Sequence, residues 1–124
     1  GYTYLRVNDI NDIDPILYRP NHKLISSIKY KSNNIRHIIS MRYQSEQDYQ
    51  DFLSDEREYE GSEIKFPIEQ LDSLILFNYI GSYELNNRDK ISLKISNLFD
   101  KQYELIQDFP MPGRTISLMY DKTF

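Results

Sequence analysis

The chain has 124 residues, one domain's worth, and a net charge of −4, which argues against nucleic acid as a partner because there is no excess positive charge to hold a phosphate backbone. It has no cysteine, and so neither a disulfide framework nor a thiolate metal site. No apolar run is longer than the four residues Leu74 to Phe77, far short of the roughly 20 that a membrane-spanning helix needs. Membrane strands need only about ten residues of alternating polarity, so a β-barrel remains compatible with low overall hydropathy. Eleven tyrosines suit a boundary that is apolar on one side and wet on the other.

Gly1 to Val7 reads as the end of a strand, with Tyr2, Tyr4 and Arg6 opposite Thr3, Leu5 and Val7. No signal peptide opens at Gly1, so an exported protein would carry its leader ahead of this stretch. Residues 8–21, with Asn8, Asp9, Asn11, Asp12 and prolines at 15 and 20, read as a loop. His22 to Tyr30 alternates as a strand, and Lys31-Ser32-Asn33-Asn34 turns it tightly, asparagine tolerating positive φ.

Ile35 to Tyr43 returns with Ile35, His37, Ile39, Met41 and Tyr43 on one face and Arg36, Ile38, Ser40 and Arg42 on the other. Residues 44–71 are polar and without sustained period, carrying nine acids between Glu46 and Glu69 against Arg57 and Lys65. They read as one long structureless loop, which is foreign to a compact soluble domain and ordinary on the outer side of a membrane barrel.

Ser73 to Leu85 alternates again, Ile75, Phe77, Tyr79, Gly81, Tyr83 and Leu85 facing away from Leu76, Asn78, Ile80, Ser82 and Glu84, and 86–89 turn tightly. The closing pair is Ile91 to Ile95 and Ile116 to Tyr120, each with one greasy and one wet face. Connections thus alternate long, short, long, short, long (8–21, 31–34, 44–72, 86–89, 97–113). The expected fold is all-β, an antiparallel up-and-down meander of about six strands with short turns at one end and long loops at the other.

The connection between the closing strands carries Asn97, Leu98, Phe99, Asp100 and Lys101, then Tyr103, then Pro110, Pro112, Gly113, Arg114 and Thr115, with phenylalanine at Phe124. This pattern resembles the carboxy-terminal signature of TonB-dependent outer-membrane receptors, closest to the siderophore and vitamin B12 branch. Gly1 to Leu5, Tyr18 to Leu24 and Phe77 to Leu85 continue the likeness, whereas Lys122 stands where the family has an aromatic residue. The resemblance implies that residues 1–124 are the last part of a 22-stranded transmembrane β-barrel whose plug and earlier strands lie outside this stretch. It implies a receptor and transporter of the Gram-negative outer membrane that imports a ferric siderophore, haem or cobalamin. Its implied partners are that small-molecule or metal-chelate substrate, the TonB complex through the plug, the barrel-assembly machinery through the last strand, and outer-membrane lipid.

Within the signature, proline fixes φ, Gly113 permits a sharp re-entry, and Arg114 is positioned to clamp the loop to Asp100 or Asp108. Candidate ligand contacts on the loops are Tyr49, Asp51, Asp55, Tyr59 and Tyr103. Spacing such as Asp48, Asp51 and Asp55 lacks the glycine-centred calcium pattern, and the acidic loop reads first as a solvated surface. His22 and His37 read as structural or interfacial, since no second ligand lies near His37 in sequence. No nucleophile elbow, phosphate cradle or placed carboxylate pair points to an enzyme or a cofactor. The competing expectation is a soluble or secreted β-sandwich binding module whose apolar faces pack on each other.

Overall fold

The computed structural model describes residues 1–4 and 17–123. They form twelve strands and, among the described residues, no helix. Six strands make one antiparallel sheet: β1 (Tyr2–Tyr4), β2 (His22–Ser32), β3 (Ile35–Gln44), β8 (Leu74–Glu84), β9 (Asp89–Ser96) and β12 (Thr115–Lys122), side by side in chain order. The meander is therefore as the alternation predicts. Leu5 to Val7, the loop positions up to residue 16, and Phe124 lie outside the described residues.

The register explains why these segments pair. Ile28, Ile39, Tyr79, Ile95 and Ile116 are successive partners across five strands, and Lys29, Ile38, Ile80, Lys94 and Ser117 are partners in the next row. Because side chains alternate across a strand, the first row lies on one face and the second on the other. A slip by one residue on any strand would exchange the two faces, so the pattern fixes the register.

The two short turns lie at one end of the sheet. Between β2 and β3, Asn33 adopts φ 49°, the left-handed region that asparagine tolerates. Between β8 and β9, the Asn86 side-chain oxygen accepts the amides of Arg88 (2.8 Å) and Asp89 (2.9 Å), and its NH2 group donates to the Asp89 carboxylate (2.7 Å). This Asx arrangement supplies the hydrogen bonds that a tight turn takes from the ladder. β12 ends beside this turn, where the Thr123 amide donates to the Arg88 carbonyl at 2.7 Å.

The opposite end departs from the expectation for 44–71. That segment is not structureless. It holds β4 (Gln47–Gln50) paired with β7 (Ile68–Leu71), and inside them β5 (Glu58–Glu60) paired with β6 (Glu63–Lys65). The connection 97–113 likewise contains β10 (Glu104–Ile106) against β11 (Phe109–Pro110), with a register irregularity between Glu104 and Ile106. These ladders are two to four residues long, too short to show a period, and charged residues interrupt all but the last of the strands.

Burial is distributed unlike that of a sandwich. Ile28 is 72% exposed, Ile116 65% and Leu118 74%, all on the apolar face. Among the described residues the buried apolar side chains are Tyr49, Leu74 and Leu76, the last two on the polar face next to the long connections. The small dry centre thus sits where the loops fold over the end of the sheet, while the greasy face stands open.

Candidate functional site

At the loop end, β4 and the signature loop meet the sheet. The Gln47 side-chain amide donates to the Leu105 carbonyl at 2.8 Å, tying the 45–73 connection to the 97–114 connection. Both Gln47 and Ser45 are buried. The Ser45 hydroxyl accepts the His22 amide and donates to the Glu46 carbonyl, so these polar groups are satisfied on site.

The signature loop is built around two left-handed residues, Asn97 at φ 51° and Asp100 at φ 55°. Asn97 is buried, and its backbone amide donates to the Asn78 side-chain oxygen at 3.0 Å. Its own side chain closes a ring on Lys101, the NH2 donating to the carbonyl (2.8 Å) and the oxygen accepting the amide (2.9 Å). The Leu98 amide continues toward the sheet, donating to the Phe77 carbonyl, and Phe99 meets the Phe77 ring edge-on at 5.4 Å. An aspartate in place of Asn97 could accept the Lys101 amide but not donate to its carbonyl, so the amide side chain serves both groups where a carboxylate would serve one.

Asp100 explains Gly113. The Asp100 carboxylate accepts the backbone amide of Arg114 at 2.6 Å. A Cβ on Gly113 would come within 2.5 Å of that carboxylate oxygen. Room for the carboxylate, rather than a sharp re-entry, is therefore what requires glycine. The expected side-chain clamp from Arg114 to Asp100 or Asp108 is not made among the described residues; what Asp100 accepts is the main-chain N–H of residue 114, a contact that does not depend on the guanidinium.

The five candidate loop contacts do not converge. Tyr49 is buried, its hydroxyl donating to Glu69 at 2.6 Å and its ring 6.3 Å from that of Tyr18. The hydrogen bond to Glu69, reinforced by burial and by the negative charges of Glu69, Asp51 and Asp108, pushes its hydroxyl up to about 12. Asp51 caps its own turn by accepting the Leu53 amide at 3.0 Å, and the Asp55 carbonyl accepts the Arg57 amide. Tyr59 lies on the exposed β5–β6 hairpin, where Lys65 pairs with Glu60 and holds that carboxyl below the usual range.

Tyr103 is different. Half-buried, it lines two cavities on either side of the signature loop. One, of about 460 Å³, also takes in Leu71, Asp72, Lys101 and Glu104. The other, of about 330 Å³, opens on the polar face of the sheet between Arg42, Leu76, Asn78 and Thr115 below and Met111 and Pro112 above. Sequence inspection reached Tyr103 but not Arg42 and Asn78, because only the register brings strand positions 42, 78 and 115 under the loop.

The histidines are aromatic neighbours. His22 lies between Tyr2 and Tyr4, with Tyr2 Oη 2.9 Å from its Nδ1, and His37 stacks with Tyr30 and Tyr79, its Nδ1 2.8 Å from Tyr79 Oη. Gly81 makes the second contact possible, since a Cβ there would meet the Tyr79 hydroxyl at 2.5 Å. Among the described residues no group of three or more His, Asp or Glu is placed to hold a metal ion. No protein-family model matches the chain.

Proposed function

We propose that this chain is a stretch of wall from a 22-stranded outer-membrane β-barrel of the TonB-dependent receptor kind, which imports a scarce nutrient such as a ferric siderophore, haem or cobalamin. Its long connections face outward and its short turns face the periplasm. The observation that carries the reading is the orientation of the sheet: a largely apolar face from Tyr2 to Tyr120, interrupted by Ser26 and His37, stands uncovered, and the opposite face carries most of the charges. Hydrocarbon is the solvent in which such a face is stable uncovered.

Two further features agree. β2, β3 and β8 are 11, 10 and 11 residues long, the length of tilted strands that cross a bilayer. Tyrosines flank the aliphatic band of the apolar face, Tyr2 and Tyr43 toward the loops and Tyr30, Tyr83 and Tyr120 toward the turns, where interfacial girdles belong. In this reading the edges β1 and β12 pair with further strands of the barrel. Import itself is driven through a plug domain coupled to TonB, and the barrel-assembly machinery reads the closing strand.

The test is partition. The chain is expected to float with lipid vesicles and to require detergent in solution. A monomer that stays soluble and unfolds cooperatively in plain buffer would instead establish a soluble or secreted β-sandwich binding module.

A further inference from the structure

The charged face of the sheet has more cations than it pairs. Its acids are engaged: Glu84 lies 3.9 Å from Lys31 and 4.0 Å from Arg36, and Asp121 lies 3.1 Å from Lys90. Among the described residues Lys23, Lys29, Arg42 and Lys94 of this face have no ion-pair partner, and Arg42 lines a cavity.

That cavity, about 330 Å³ between the sheet and the signature loop, falls in the size range of small-molecule sites. Among the described residues no carboxylate lines it; Asp100, beside Gly113, accepts the Arg114 amide, and the polar side chains of the lining can donate. Arg42 brings a guanidinium, which only donates; Ser96, Thr115 and Tyr103 bring hydroxyls. Asn78 already accepts the Asn97 amide with its side-chain oxygen and brings an NH2 group that can donate. Buried Leu76, with Met111 and Pro112 of the loop, adds an apolar wall. The 460 Å³ cavity on the other side of the loop is lined by Asp72 and Glu104 as well as Lys101, and shows no such preference.

We propose that the cavity under the signature loop is a binding site for a small organic carboxylate with an apolar body, Arg42 being the charge partner and Asn78 and Thr115 the flanking donors. A guanidinium matches a carboxylate with two parallel hydrogen bonds, and the apolar wall takes up the rest of the molecule. The proposal rests on the reading of this face as the watery side of the wall, and it gives that side a ligand class.

The natural lack of cysteine makes the test direct. In the full chain, Thr115→Cys places a single thiol in the cavity, to be reacted in lipid vesicles with an anionic sulfonatoethyl and a cationic trimethylammonioethyl methanethiosulfonate. Relative to free cysteine, the anionic reagent should be favoured, on the order of tenfold, by the neighbouring guanidinium. Adding Arg42→Gln should abolish that preference, and Arg42→Lys should keep most of it. Benzoate should slow labelling of Thr115→Cys and should not do so when Arg42→Gln is present. A reagent preference equal to that of free cysteine, or unmoved by Arg42→Gln, overturns the proposal, as does labelling indifferent to benzoate. Leu118→Cys separates the two readings: if its thiol labels freely in lipid while the Thr115→Cys results hold, the membrane placement fails and the anion site stands.

Discussion

At the scale of single residues, the signature loop is a set of mutual exclusions in a small space. Gly113→Ala forces the Asp100 carboxylate off the Arg114 amide, because the new Cβ would stand 2.5 Å from the oxygen that accepts it. The expected cost is about 1–3 kcal/mol, typical of overpacking. It should be read as faster hydrogen exchange at Arg114; Asp100→Ala, which removes the acceptor, should speed that exchange as well, and adding Gly113→Ala to it should change it little further. Asn97→Ala should cost about 1–2 kcal/mol, since it removes both hydrogen bonds that tie the buried Asn97 side chain to Lys101 in a half-exposed turn. Chemical denaturation of the protein in detergent measures it. Tyr49 gives a pH signature. Its hydroxyl titrates near 12 in the folded loop against about 10 in the unfolded chain, so the folded form holds the proton more tightly. The stability it contributes is complete below pH about 10 and is lost as pH climbs from there through about 12. An alkaline denaturation series should show this loss, and Tyr49→Phe should remove it.

At the scale of elements, the long strands were legible and the short ones were not, for the same reason. Ile35 to Tyr43 and Ser73 to Leu85 are long enough for period-two polarity to declare itself, and their register follows from matching greasy rows such as Ile39 with Tyr79. β5 and β6 pair Glu58 with Lys65 and Glu60 with Glu63, so three-residue ladders rich in like charge give no hydrophobic period to read. They form because the chain is brought back on itself by β4 and β7, where Tyr49 and Glu69 are paired residues joined by a hydrogen bond. Disrupting that anchor should release the hairpin beyond it. Glu69→Ala is expected to raise hydrogen exchange across 47–71 while leaving β3 and β8 protected. Within the candidate site, Tyr103 and the signature residues were visible in sequence, whereas Arg42 became part of a cavity only through the alignment of three strands beneath the loop.

At the scale of the whole molecule, the account turns on which face meets which solvent. Among the described residues the buried apolar centre lies at the loop end, at Tyr49, Leu74 and Leu76, and leaves the broad sheet with Leu118 and Ile116 uncovered. If that face lies against hydrocarbon, Leu118→Arg should cost about 2–4 kcal/mol on folding into lipid vesicles, and Ser117→Arg, on the opposite face, should be close to neutral. The most direct measurement is a spin-label scan of β12 in lipid vesicles, residue by residue from 115 to 122, comparing collisions with oxygen, which concentrates in lipid, and with a water-soluble nickel chelate. The account predicts a period-two alternation, with labels at 116, 118 and 120 reached by oxygen and labels at 117, 119 and 121 by the chelate. Equal access of the chelate to both sets, or exclusion of both agents from 116, 118 and 120, would contradict it.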